Sequence, residues 1–525
     1  MGREKERSEK DPKEHKKMFI GVVWNCAAEL KLLLTALLFL LSLITVFQFV
    51  PSRLSFSVSD VRHCISTTTI AAAAADTNIS VAVAAAATAL SANSTPPERP
   101  PATPSPPSKL EDEVGDGGVI NRAFNAHGSA AYNYILMSAY RGGANTFAVM
   151  GLASKPLLVF GKPSYQCQWV PRLKNGSYSD RPVTASSYKV LPDWGYGRVY
   201  TVIVVNCTFP FPVGHDGSGG KLLLLATTNG GGDEKVNLTD TVEALTEAPA
   251  TVNLARFTGP PKYDYLYCGS PLFGNLSPQR VREWFAFHVR LFGVKSHFVI
   301  YDAGGVHEGV REVLRAWMDK GYVTLHDVRE QERFDGYYHN QFMVVNDCLH
   351  RYKFDAKWMF FFDLDEFIFV PKKSTLKSVL DSLSEYTQFT IEQMPMSSKL
   401  CLAEDAGKSY RKWGFEKLVY KDSKTGIRRD RKYAVQPRNV FATGVHMSQN
   451  VAGKTTHKTE GRIMYYHYHG MISERREPCR RLVNSTYLKL DGIQYVMDTT
   501  MREAAGSVKR FELRMIGSRL QRTRQ

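Results

Sequence analysis

Three carboxylates, Asp363, Asp365 and Glu366, stand together near the middle of this 525-residue chain, in the run FFFDLDEFIFV over residues 360–370. Apolar side chains flank them on both sides, and acidic residues are rarely buried without a partner. The pattern reads as a hydrophobic strand that ends in charge. In a strand alternate residues share a face, which puts Asp363 and Asp365 on one side and Leu364 on the other. Two hard oxygen ligands so placed suit Mg²⁺ or Mn²⁺, and such an ion in turn holds a diphosphate. The competing reading is a solvated acidic turn after an ordinary core strand. Against it, the flanks carry Phe, Ile and Val where a turn would carry Gly, Asn or Pro.

The elements that position this run alternate in type. From about residue 262 a strand at YDYLYCGSPL precedes an amphipathic helix with Val281, Trp284, Phe285, His288 and Val289 on one face, ended by Gly293. A strand HFVIYD leads to a helix bearing Val306, Val310, Val313, Leu314 and Trp317, ended by Gly321. A third strand YVTLHDV, a helix around residues 341–352 and the strand WMFFFDLDEF follow. Repeated β-α units predict a parallel, Rossmann-like sheet, whose ligands bind at the carboxyl ends of the strands. Those ends carry Asp302, Asp327 and the Asp363 to Glu366 cluster. No GxGxxG or Walker A loop is present, which argues against a dinucleotide dehydrogenase or a P-loop NTPase.

Upstream, residues 121–255 read as all-β: short apolar runs separated by Gly, Pro, Asn and Asp clusters, the pattern of a sandwich. Its aromatics Tyr165, Trp169, Tyr178, Trp194, Tyr196 and Tyr200 either fill a core or present flat rings to sugars. Residues 96–107 contain seven prolines and residues 70–92 are Ala-rich, so residues 51–120 form a stem rather than a core. Before the stem, residues 32–50 are nineteen in a row without a charge, roughly 28 Å of helix, enough to cross a bilayer core. Seven Lys or Arg residues in the first seventeen place residues 1–31 in the cytoplasm and all that follows the anchor in a lumen. Seven sequons, at Asn78, Asn93, Asn175, Asn206, Asn237, Asn275 and Asn484, agree with that side. Six of the eight cysteines lie beyond the stem, where they are able to pair in an oxidising compartment. Connectivity is not readable from spacing, beyond the expectation of a local Cys167 to Cys207 bridge. The net charge of +16 would ordinarily suggest nucleic acid, but a membrane anchor excludes that partner. Basic clusters at residues 424–432 and 475–481 fit diphosphate, acidic polysaccharide or an anionic membrane surface, or are solvated faces.

The series CGSPLFGNLSPQRVREWFAFHVRLFGVKSHFVIYDAGG, HNQFMVVNDCLHRY, KWMFFFDLDEF, WGFEKLVYKD, KYAVQPRNVFATGVH and YYHYH resembles glycosyltransferase family 92, and within it the plant pectin β-1,4-galactosyltransferases. The resemblance covers about residues 262–480 and extends to the anchor, the stem and a β-domain like a carbohydrate-binding module, leaving residues 481–525 as a C-terminal extension. It implies a GT-A fold, UDP-galactose as donor, a β-1,4-galactan acceptor, a Mn²⁺-dependent DxD motif at Asp363 and Asp365, inversion at the anomeric carbon, and residence in the Golgi membrane.

On that reading Asp365 contacts the metal and Asp363 the metal or the donor's ribose. His446 is the first choice for a further ligand, with His467 and His469 as the alternative. The base that deprotonates the acceptor is expected at Glu416 of the WGFEK block, with Glu404 and Asp405 competing, and Trp413 as a floor for the acceptor sugar. Asp302 is expected at uracil or ribose, Arg438 or Lys432 at the diphosphate, and Asn340 and Gln341 at the donor sugar, Asn340 being equally explained as a helix N-cap. A non-catalytic lumenal lectin and a metal-dependent phosphohydrolase are the readings from other classes. Donor identity, product length and oligomeric state, a homodimer included, are left open by the residues themselves.

Overall fold

The computed structural model describes residues 109–127, 134–154, 163–192, 199–228, 238–334, 338–424, 431–473 and 475–523. The anchor expected at residues 32–50, most of the stem, Cys26, Cys64, Trp194 and Tyr196 lie outside them. Among the described residues no helix is long and apolar enough to cross a membrane.

Two antiparallel sheets form the β-domain. One orders the strands Asn125–His127, Tyr134–Arg141, Thr146–Ser154, Tyr200–Thr208 and Ser186–Val190; the other orders Leu238–Glu247, Gly220–Thr228, Ser164–Pro171 and Val183–Thr184. Tyr134–Arg141 begins with an unbroken apolar run because both of its faces are covered. Tyr134 and Leu136 face the opposite sheet, while Ile135 and Met137 pack with Phe342, Val345 and Leu349 of the next domain. Cys167 and Cys207 join the two sheets by the expected disulfide. The aromatics mostly fill cores: Trp169 stacks on Phe147 inside the sandwich, and Tyr200 packs against Phe334. Tyr178 is exposed, with the Lys221 ammonium over its ring.

Beyond it lies a mixed α/β domain. The strands Val323–Asp327, Ser296–Asp302, Tyr263–Cys268 and Ala356–Phe361 run parallel in that spatial order, the Rossmann-like half that the alternation predicts. The sheet continues through Lys432–Val435, Gln388–Pro395, Met464–His467 and Glu366–Phe369 with mixed direction. The helix Pro278–Phe292 starts at its N-cap Ser277 with proline at the first position and ends at Gly293, whose φ of 79° suits glycine. Val281, Trp284, Phe285, His288 and Val289 are all buried, since the sheet covers one side and the helix Thr500–Ile516 packs on another. The C-terminal residues are therefore part of this core: Met501, Ala505, Val508 and Leu520 are buried in it, and Glu512 pairs with Arg282 at 2.6 Å.

Helix Gln341–Arg351 lies between the sandwich and the parallel sheet. Cys348 ties it to Cys268 at the end of the first parallel strand, and Cys401 to Cys479 closes a third bridge. Neither pairing was readable from spacing, because loops of 80 and 78 residues separate the partners.

Candidate active site

The strand Ala356–Phe361 stops before the acidic run, so Asp363 to Glu366 form a turn and the expected strand alternation does not apply to them. It is a turn held from within. The Glu366 carboxylate accepts the Asp363 amide at 2.7 Å, and Trp284 Nε1 donates to the carbonyls of Glu366 and Asp363 at 2.9 and 3.2 Å. Tyr267 donates its hydroxyl to the Phe362 carbonyl, at 2.9 Å. That contact requires glycine at position 269, where a Cβ would lie 1.7 Å from the same hydroxyl. The turn is neither solvated nor apolar: Asp363 and Asp365 are half-buried and Glu366 is 1 % exposed.

The two aspartates have different partners. Asp363 uses both oxygens within the protein, one toward Lys432 Nζ at 2.8 Å and one accepting from the Ser270 hydroxyl, which itself accepts from Gln341 Nε2. Burial opposes its charge, but Lys432 and the Ser270 hydrogen bond hold the Asp363 carboxyl below the ordinary aspartate range. Burial pushes Glu366 up to about 8 despite Lys432 at 3.8 Å. Asp365 faces the other way. Its Oδ2 accepts the Gly470 amide at 3.0 Å, and its Oδ1 lies 3.6 Å from His467 Nε2.

Asp365, His467 and His469 bring one ligand atom each within 4.8 Å of one another. Pairing of Glu366 with His467 across antiparallel strands sets the first histidine beside the acidic turn, while His469 lies past the strand end, next to Gly470. The pair named as the alternative for the metal is thus the one assembled with Asp365. His446 lines the same cleft with Nδ1 3.3 Å from the Arg431 carbonyl, outside that cluster. A divalent cation fits these donors on two grounds: one carboxylate and two imidazoles converge, and the one buried ammonium nearby, Lys432, pairs with Asp363 rather than with Asp365, whose charge is left for a cation to balance. Gln393 Nε2, 2.5 Å from His467 Nδ1, supplies the outer contact that orients a metal-binding ring; turned end for end, the amide would accept from Nδ1–H.

The cleft holds about 690 Å³ and runs from this cluster to Gln341, Phe342, Tyr338 and Phe273. Gln341 lines this cleft. Asn340 is buried in a left-handed conformation, φ 56°, with Nδ2 donating to the Phe334 carbonyl and no N-cap hydrogen bond from its side chain. Other expected residues lie elsewhere. Asp302 Oδ1 accepts the amides of Gly304 and Val306 at 2.8 and 3.0 Å, so its charge folds the loop after its strand. Arg438 donates to the carbonyls of Gly259 and Phe354. Glu416 accepts the Trp413 amide at 3.0 Å in the first turn of a four-residue helix and pairs with Lys509. Asp405 is buried between Lys412 and Arg502, and Trp413 is 5 % exposed with Arg282 and Lys509 over its ring. None of Glu416, Asp405 or Trp413 lines the cleft. Each is a charge or ring satisfied by neighbours in the C-terminal helix region.

Ser270, Gln393 and Gly470 are the residues that sequence reasoning missed. Ser270 follows the first parallel strand, where the strand-end rule applies. Gln393 and Gly470 carry no local signal, since each matters only through a partner more than seventy residues away.

The family model for glycosyltransferase family 92 matches residues 263–509. The chain is 56 % identical over 531 aligned residues to galactan beta-1,4-galactosyltransferase GALS3 of Arabidopsis thaliana, covering 100 % of both chains. It is 55 % identical to GALS2 of the same name and organism, again over 100 % of both, and 28 % identical to beta-1,4-galactosyltransferase galt-1 of Caenorhabditis elegans over 40 % of this chain and 49 % of that one. A solved galactosyltransferase with donor and acceptor sugar analogues overlaps 33 % of this chain and 58 % of that chain at 12 % identity, with a TM-score of only 0.18. With full-length relatives at this identity and a family match that spans the cleft, this chain is a glycosyltransferase and belongs to family 92.

Proposed function

We propose that the chain transfers galactose from UDP-galactose to the end of a β-1,4-galactan chain, with inversion at the anomeric carbon. The observation that carries this reading is the convergence of Asp365, His467 and His469 beside the Asp363–Lys432 pair, in a cleft large enough for a nucleotide sugar. The names of the full-length relatives supply the sugar and the acceptor. Asp365, His467 and His469 would hold Mn²⁺ or a similar divalent ion, which when bound supplies charge stabilisation for the leaving diphosphate. The nitrogen donors favour Mn²⁺ over Mg²⁺ or Ca²⁺.

The protein's own groups do the rest. Lys432 keeps Asp363 ionised and fixed, and Ser270 with Gln341 sets its orientation, so the rim presents a rigid hydrogen-bond surface to the ribose or sugar. Transfer also needs a proton acceptor for the attacking hydroxyl. Among the groups in the cleft His446 suits this role: it is an imidazole on the cleft wall, and with a proton on Nδ1 directed at the Arg431 carbonyl, Nε2 is the nitrogen that would accept the hydroxyl's proton. Residence in the Golgi lumen is part of this proposal: the family resemblance implies it, the apolar run at residues 32–50 supports a membrane anchor, and three disulfides beyond the stem fit an oxidising compartment.

The test is release of UDP from UDP-galactose by the purified chain, with Mn²⁺ or with chelator, and with or without a galacto-oligosaccharide. Acceptor-dependent release with Mn²⁺ is expected. Equal release without acceptor would instead make the protein a hydrolase, and binding without turnover would make it a lectin.

A further inference from the structure

A second groove, of about 580 Å³, lies between the start of helix Pro278–Phe292, the segment Ser409–Trp413 and the C-terminal helix Thr500–Ile516. Its inner wall is settled internally: Arg282 pairs with Glu512 and Lys509 with Glu416, and both cations lie over the Trp413 ring. Its rim is not. Arg510 is exposed and forms no ion pair among the described residues. Arg411, also exposed, donates from Nε to the Tyr410 hydroxyl at 3.0 Å and lies over the Tyr410 ring, which is 64 % exposed.

We infer that this groove binds a carboxylated saccharide chain. Two open guanidinium groups offer the planar fork that grips carboxylates in pairs, and the exposed Tyr410 ring between charge and solvent offers an apolar face to a sugar. The groove also neighbours the catalytic cleft. Ser473 lines the cleft and Glu477 lines the groove, and four residues of chain span at most about 14 Å. A polymer that carries acidic sugars next to the acceptor branch can therefore occupy both. The groove serves to hold the acidic part of an acceptor while the cleft works on the neutral end.

The experiment measures binding of tetragalacturonide to the full-length chain in detergent by calorimetry. Galactotetraose serves as the neutral probe of equal length, and sulfated oligosaccharide and a short single-stranded DNA serve as other polyanions. Tetragalacturonide is expected to bind, and the double variant Arg411→Ala, Arg510→Ala to weaken it at least tenfold while leaving turnover on a neutral galacto-oligosaccharide unchanged. Three results would each overturn the inference: no binding at millimolar tetragalacturonide, unchanged binding in the double variant, or equal binding of the sulfated or nucleic-acid probe. The readout is binding at a site apart from the cleft, so it stands or fails independently of the donor and acceptor proposed above.

Discussion

Lys432 Nζ lies 2.8 Å from Asp363 Oδ2, and this pair divides the acidic turn into two halves with different work. Asp363 is neutralised and immobilised by the protein, whereas Asp365 turns its carboxylate toward His467 and His469. Two acids with a single residue between them therefore answer differently to the same mutation.

Asp365→Asn keeps volume and most hydrogen bonds, so stability should change by less than about 1 kcal/mol while the metal requirement rises or activity is lost. Asp363→Asn leaves Lys432 buried with only Glu366 nearby, and should lower stability by roughly 1–3 kcal/mol as well as activity. Urea midpoints and Mn²⁺ titrations on both variants check the contrast. Equal loss of stability in the two would mean that the division of roles is wrong.

The base is tested by a pair of variants. His446→Gln should lower turnover by about a hundredfold with donor affinity nearly intact, since proton transfer by a positioned side chain contributes on that scale. Glu416→Gln should retain turnover, because Glu416 caps a short helix and pairs with Lys509 outside the cleft. A dead Glu416→Gln that binds donor and folds normally would restore the WGFEK block as catalytic.

Where the sandwich meets helix Gln341–Arg351, Arg122 donates twice to Asp347, at 2.6 and 3.0 Å, and both side chains are wholly buried. Ser138, Tyr140 and Tyr301 add hydroxyl donors to the same carboxylate. Removing Arg122 leaves the buried Asp347 carboxylate with only Arg351, at 3.6 Å, as a cation, so Arg122→Met should destabilise by about 3–5 kcal/mol. Chemical unfolding measures it. A loss under 1 kcal/mol would show that water or a neighbour replaces Arg122.

Acid should weaken the fold through three buried histidines. Burial lowers His288 and His350 to about 3 and His297 to about 4, all below the ordinary value near 6.5. His288 shows why: Nε2 accepts the Ile368 amide at 3.1 Å, so a second ring proton would face a donor. The unfolded chain therefore binds protons that the folded chain refuses. The stability from these groups is complete above about pH 6.5 and drops as pH falls toward 4, by up to about 1.4 kcal/mol per pH unit for each histidine. Unfolding midpoints between pH 7.5 and pH 5 test the sign, and a flat or rising profile toward acid would contradict it.

Local pattern alone carried the alternation of strands and helices, the helix end at Gly293, the gathering of charge at Asp363 to Glu366, and the Cys167 to Cys207 bridge. These depend on neighbours in the chain, or on two strands of one small domain, and periodicity reports such relations directly. Which histidines stand beside Asp365 was decided by strand pairing between residues about a hundred apart, Glu366 opposite His467, which no spacing encodes. The same holds for Glu416 and Asp405. As isolated letters they look like catalytic acids, and only packing of the C-terminal helix supplies Lys509 and Arg502 to neutralise them. A carboxylate's role is set by the charge that surrounds it in space, and in this fold that charge comes from distant segments.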